Sequence, residues 1–250
     1  MLYFIVPLRS RETSKDWTRV SRLCERTLQS ICQQTSDQFR VFLVCRDLPE
    51  MDFAHPNLRV LQVDFPVPEA KKEAQMADKA RKVRRGLVAV REQGGGFVMG
   101  ADADDLVHRS LAALVAKNSG SNGWFVRYGY SYNEGSRWLE KHYDFHLHCG
   151  TSHIIKLGPD ELPPDMESPR EKYFVLCHGH HVLAKFMAQS GRALTALPFP
   201  GAIYVKDTGE NQSGPPLTGI GVRAHLSRLV RLRPLTTRKR EMFGIRPLRP

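Results

Sequence analysis

The stretch that most constrains this chain is Gly96-Phe97-Val98-Met99-Gly100-Ala101-Asp102-Ala103-Asp104-Asp105-Leu106-Val107. Residues 97–99 are a short apolar run suited to a covered, pleated surface, which predicts a buried strand. Three carboxylates then fall within four positions. Such acids repel one another, and a hard divalent cation such as Mg²⁺ or Mn²⁺ is a usual reason for an ordered chain to gather them. In an extended chain Asp102 and Asp104 share one side. Asp105 is expected to turn away and N-cap a helix starting at Leu106. Taken alone, the same residues describe a plain strand-to-helix turn with an Asp cap. Two features favour a site: the small Gly100, Ala101 and Ala103 leave room for a ligand, and the acids end a predicted central strand, where open α/β sheets bind ligands.

The rest of the chain gives that strand its neighbours. Residues 2–7 read as a first strand, leading into the loop Pro7-Leu8-Arg9-Ser10. Trp17, Val20, Leu23, Cys24, Leu28 and Ile31 recur at three and four, predicting a helix from about Asp16. Strands are expected over 39–45 and 58–64, then a helix from about 68 to 93 that is broken by Gly94-Gly95-Gly96. The alternation predicts an α/β fold with a mostly parallel sheet flanked by helices. From residue 123 the pattern changes. Short strands at 124–128 and 129–132 are expected to pair, followed by a strand at 152–156, a proline-rich loop at 158–169 and a helix at 175–190. The implied organisation is an α/β half (1–120), a smaller second half of the same domain (121–222) and a basic C-terminal tail (223–250).

Composition matters chiefly through its unevenness. The chain has 250 residues, 41% of them hydrophobic, which suits one such domain. No apolar run approaches the ~20 residues needed to span a bilayer, and residues 2–8 lack a preceding basic region, so a strand is expected there and not a signal peptide. Five cysteines (Cys24, Cys32, Cys45, Cys149, Cys177) form no CxxC pair and are expected to be reduced thiols in a cytoplasmic protein. The formal charge is +11, but residues 223–250 hold nine Lys/Arg and one Glu, or +8, leaving +3 for the remainder. A nucleic-acid partner is therefore not expected: it needs basic residues interleaved with aromatics, and the tail has one aromatic, Phe243. Over residues 223–233 a helix would place Leu226, Leu229 and Val230 on one face and Arg228 and Arg231 on another, ending at Pro234. That pattern fits either a peripheral contact with anionic membrane at its inner surface or a helix packed on the body ahead of a disordered end.

Several of these pieces, in order, resemble a known family. Ile5-Val6-Pro7, Thr27-Leu28-Gln29-Ser30-Ile31 with Gln34-Thr35, a strand closed by Asp47, and Asp102-Ala103-Asp104-Asp105 resemble the GT-A-fold glycosyltransferases, in particular the family 2-like branch. The likeness is good over residues 1–115 and thinner over 123–213. It implies a GT-A-like (Rossmann-like) fold and metal-dependent transfer of a sugar from a nucleoside-diphosphate donor to a hydroxyl of a glycan, polysaccharide or lipid-linked acceptor. It also implies donor contacts by Pro7, Leu8, Arg9, Asp47 and Asp102, with Mn²⁺ or Mg²⁺ held by Asp102 and Asp104. Asp78 and Lys82 occupy a helix position that faces the nucleotide in the family, although their i,i+4 spacing is equally that of a plain ion pair.

The late helix departs from the pattern. Where an acidic pair is usual, this chain reads Cys177-His178-Gly179-His180-His181. Histidine, with an unperturbed pKa of ~6.5, can take an acceptor proton near neutrality, so His180 and His181 are the first candidates for the catalytic base, with Glu140 and Asp144 behind them. His180 is also a candidate metal ligand. Trp124, Tyr130, Tyr132 and Trp138 are candidate acceptor platforms. His146, His148 and residues 149–152 are candidates for the acceptor pocket or for structure. Loops 158–170 and 207–216, with Asn211 and Ser213, are candidates to close over the donor. Two alternatives use other chemistry: a nucleotidyltransferase, which also needs paired acids, and a non-catalytic basic nucleic-acid-binding protein.

Overall fold

A computed structural model describes residues 1–173, 175, 178–210 and 230–248. Within them the chain builds two sheets. The first has seven strands: β1 (Leu2–Pro7), β2 (Phe39–Cys45), β3 (Leu58–Gln62), β4 (Gly96–Gly100), β6 (Gly123–Phe125), β9 (His153–Leu157) and β10 (Thr195–Ala196), in the order β10-β6-β9-β4-β1-β2-β3. The second is ordered β12-β8-β7-β11-β5, from β5 (Leu106–Val107), β7 (Gly129–Asn133), β8 (Trp138–His142), β11 (Ala202–Lys206) and β12 (Leu232–Pro234). The helices are α1 (Trp17–Cys32), α2 (Lys72–Glu92), α3 (Leu111–Lys117), α4 (His180–Gln189) and α5 (Thr237–Phe243).

The α/β alternation read from the first hundred residues is present: β1 pairs in parallel with β2 and β4, and β2 with β3. The expectation of a mostly parallel sheet holds only in part: four of the six pairings in the seven-stranded sheet are parallel, but the architecture is mixed. β9 runs antiparallel between β4 and β6, and the second sheet mixes antiparallel pairs with the parallel β7–β11 pair. β6 and β7, expected to pair with each other, lie in different sheets.

Strand β1 is buried along its whole length because both of its faces are covered. Leu2, Phe4 and Val6 face α1 and α3, in one core with Leu28, Ile31, Leu111 and Val115. Tyr3 and Ile5 face α2 and α4, in another with Leu87, Val90, Leu183 and Met187. α2 approaches β1 so closely at Gly86 that a Cβ there would lie 2.5 Å from Ile5 Cγ2. The register sets Ile5 opposite Gly100, so the chain leaving β1 and the acids leaving β4 emerge side by side.

The C-terminal segment belongs to the fold. The helix expected over 223–233 falls partly outside the described residues, but Leu232 and Arg233 are in strand β12, paired antiparallel with β8. α5, capped by the Thr236 side chain, buries Phe243 and Ile245 against Leu106, Tyr130, Tyr132 and Val205. No helix among the described residues is long and apolar enough to cross a membrane. Phe243 is fully buried, and Phe→Ala in such a place costs about 3–5 kcal/mol. We expect Phe243→Ala to lower the melting temperature by on the order of 10 °C; an unchanged melting curve would mean that the terminal helix does not stabilise the domain.

Candidate functional site

A cleft of about 370 Å³ opens at the carboxyl ends of β1 and β4. β1 delivers Pro7, Leu8 and Arg9 to it, β4 delivers Asp102, Ala103 and Asp104, and α2 delivers Asp78, Lys79 and Lys82. His148, Cys149 and Gly150 come from the connection before β9, and His180 from the first turn of α4. Eleven residues singled out in the sequence therefore meet there: Pro7, Leu8, Arg9, Asp78, Lys82, Asp102, Asp104 and His180, with His148, Cys149 and Gly150 from the candidate acceptor-pocket stretch.

Asp47 and His181 do not line this cleft. Asp47 closes β2, but its Oδ2 accepts the Arg11 backbone N–H at 2.9 Å, so it fastens the loop after β1. His181 is exposed, its ring 5.7 Å from that of His180. Trp124, Tyr130 and Tyr132 are buried core side chains, and only Trp138 of the four candidate platforms is exposed. Glu140 is buried and paired with Arg231 at 3.2 Å. Loop 158–170 is pinned to α2, where Arg84 donates to the Asp165 and Ser168 carbonyls and Arg91 to those of Pro159 and Leu162. Asn211 and Ser213 lie outside the described residues.

The three acids take three different roles. Asp105 does not cap a helix: α3 begins at Leu111, and residues 106–107 pair as β5 with β11. Its carboxyl is fully buried and accepts from Thr151 Oγ1 at 2.6 Å, Cys149 Sγ at 3.1 Å and the Val205 N–H at 3.3 Å. Burial, followed by the charges of Asp104 and Asp102, raises its pKa well above the usual range. Asp102 is positioned by its own N–H, which donates to Thr151 Oγ1 at 2.9 Å, and its Oδ1 is ion-paired with Lys79 Nζ at 2.5 Å. A Cβ on Gly150 would sit 3.4 Å from Asp102 Oδ2, so glycine keeps that side of the carboxylate approachable. Asp104 faces the cleft, and burial together with Asp102 pushes its pKa up to about 6, against the opposing pull of Lys79 and Arg9.

Lys82 and Asp78 form an ion pair of 2.7 Å whose side chains are 1% and 8% exposed. Lys82 also donates to Ser10 Oγ at 3.2 Å. This pair is a strut between α2 and the loop after β1. Sequence reading missed Lys79, which stands beside Asp78 and carries the cation nearest the acidic pair. It also missed Glu210, which accepts from Arg9 Nη1 at 2.6 Å and from the Asp16 N–H at 2.9 Å. The signal for Lys79 was present: an acidic cluster demands a cation, and the helix ahead of it is rich in lysine. Glu210, about two hundred residues from its partners, left no local signal.

His180 is half-buried, and burial followed by the neighbouring His181 lowers its pKa below the usual imidazole value. It is therefore neutral, and a proton acceptor, near pH 7. Among the described residues no group of three or more His, Cys, Asp and Glu is assembled to hold a metal. The carboxylates of Asp102 and Asp104 still fit a hard cation that takes its other ligands from water and phosphate oxygens. The supporting observation is their placement: both carboxylates line the open cleft, and the Asp102 side chain is 30% exposed.

No protein-family model matches the chain, and no curated protein does. Among solved structures it is similar to S. aureus TarS 1-349, with 13% identity and a TM-score of 0.45 over 82% of this chain and 60% of that one. It is also similar to S. aureus TarS, with 13% identity and a TM-score of 0.42 over 82% of this chain and 36% of that one. The chain thus spans 60% and 36% of the lengths of these two structures. At that identity and TM-score the likeness carries no argument about activity, and the reading rests on the cleft.

The raised pKa of Asp104 gives a test of this electrostatic picture. A carboxyl whose folded pKa exceeds its unfolded value binds more protons when folded, so its ionisation lowers stability as pH rises from about 4 to about 6. Asp104→Asn should therefore melt higher than the parent at pH 7.5, by roughly 2–5 °C, with the gain shrinking towards pH 4. A variant that melts lower at pH 7.5 would mean that the carboxylate is already fully compensated.

Proposed function

We propose that this chain is a glycosyltransferase that moves a sugar from a nucleoside-diphosphate donor to a hydroxyl of a glycan or lipid-linked acceptor. The observation that carries the reading is the meeting, in one cleft, of the Asp102/Asp104 pair, the Pro7-Leu8-Arg9 loop, the cationic face of α2 and the neutral His180. The D-x-D pair and the loop after the first strand are also the elements through which the sequence resembles GT-A glycosyltransferases.

In this reading the donor lies across the carboxyl ends of β1 and β4. Arg9 and Lys79 face its diphosphate, and the Lys82–Asp78 strut holds the loop that lines it. Mn²⁺ or Mg²⁺ held by Asp104 and Asp102 would supply Lewis-acid neutralisation of the leaving diphosphate. Asp105, through Thr151 and Cys149, fixes the connection that presents Gly150 to Asp102. His180 takes the acceptor proton as the acceptor oxygen bonds to the anomeric carbon and the bond from that carbon to the diphosphate breaks.

The activity is tested by incubating the protein with a panel of sugar nucleotides, Mn²⁺ and candidate acceptors, and following release of nucleoside diphosphate. His180→Ala should reduce turnover by about 10²–10⁴ with little change in nucleotide affinity, whereas His181→Ala should stay within about twofold. Collapse of nucleotide affinity in His180→Ala would make that residue a binding group instead of the base. Release of pyrophosphate from nucleoside triphosphate and sugar phosphate would move the reading to a nucleotidyltransferase.

A further inference from the structure

The cleft contains two Lys–Asp pairs, and their burial separates their roles. Lys82–Asp78 is sealed, at 1% and 8% side-chain exposure, with Ser10 as a further partner. Lys79–Asp102 is of similar length, 2.5 Å, but its side chains are 38% and 30% exposed and both line the cleft. A pair within reach of water can exchange partners at modest cost, whereas breaking the sealed pair would leave buried charges uncompensated.

We infer that Lys79 is a built-in counter-ion of the acidic pair, which competes with a divalent cation for Asp102 and is released to an anionic ligand when the cation binds. The inference rests on the reading of Asp102 and Asp104 as cation ligands and adds the residue that sets how tightly they hold one. Its ground is the position of the ammonium: Nζ sits on the Asp102 carboxylate, the group that a cation shared with Asp104 would also need. An ammonium and a divalent ion on the same carboxylate repel, so each weakens the other. On release, the side chain is still in the cleft, where it can receive an anion such as a diphosphate.

The experiment is calorimetric titration with MnCl₂ alone, at pH 7.5, on the full chain. Lys79→Met keeps the length of the side chain and removes its charge, and it should bind Mn²⁺ about tenfold more tightly than the parent or better. Lys79→Arg keeps the charge and should bind as weakly as the parent. Asp104→Asn serves as the control for the cation site itself. If Asp104→Asn weakens Mn²⁺ binding but Lys79→Met fails to tighten it, the counter-ion inference is overturned and the cation reading survives. If neither the parent nor Lys79→Met binds Mn²⁺, or if Asp104→Asn binds it as the parent does, both are overturned. The second half of the inference is read by titrating a nucleoside diphosphate with and without Mn²⁺. Lys79→Met should lose most of the metal-dependent gain in nucleotide affinity, and a gain equal to that of the parent would show that the released ammonium does not reach the anion.

Discussion

Three carboxylates within four residues are the constraint around which this structure is arranged. Two unit charges about 4 Å apart interact by about 4 kcal/mol at an effective dielectric near 20, a sizeable part of the 5–15 kcal/mol that stabilises a typical domain. Each acid is handled separately. Asp105 is turned inward and held by Thr151, Cys149 and the Val205 amide, which ties the end of β4 to the connection before β9 and to β11. Asp102 is set against Lys79. Asp104 is left towards the cleft with a raised pKa. Those contacts draw on α2, β11 and the 149–151 turn, so the second half of the chain is needed to tolerate what the first half presents.

This dependence explains which parts of the fold were legible in the sequence. Strands β1, β2 and β4 and helices α1 and α2 could be read because their apolar periodicity is local: residues 2–7 are buried on both faces, and α1 is capped by Asp16 as its sequence suggests. The acidic turn was misread at its third residue for a reason of the opposite kind. Asp before an apolar run is a good helix cap, but Leu106 and Val107 find partners in Ile203 and Ala202, almost a hundred residues away, and the strand prevails. Tertiary partners of that kind also hold the described end of the tail: residues 230–231 are helical, 232–234 pair with β8, and Phe243 fills the space beneath the second sheet. The rest of the expected helix, residues 223–229, lies outside the described residues.

The site was legible to a similar degree. Of the residues whose role follows from chain position, Pro7-Leu8-Arg9 and Asp102/Asp104 are in the cleft, whereas Asp47 fastens the loop after β1 instead. Residues chosen by chemical type alone divided. His180 enters because it opens α4, while the next residue on the helix, His181, is rotated towards solvent. Trp124, Tyr130 and Tyr132 are aromatic because two cores need large side chains. Asp78 and Lys82 are at the cleft wall, but their burial makes them a strut, and the residue between them in sequence that faces the acids is Lys79.

Charge pairing gives the cleft its selectivity in the proposed function. Three of its cations are already engaged: Arg9 with Glu210, Lys79 with Asp102 and Lys82 with Asp78. A simple anion entering such a site would have to draw Lys79 away from Asp102 and leave that carboxylate facing Asp104 with nothing between them. A simple cation would have to push the ammonium aside with nothing to receive it. A ligand that arrives as an anion and a divalent cation together exchanges like for like: the cation takes the carboxylates and the anion takes the lysine. In the proposed function, such an exchange would favour a metal–diphosphate complex over either of its parts.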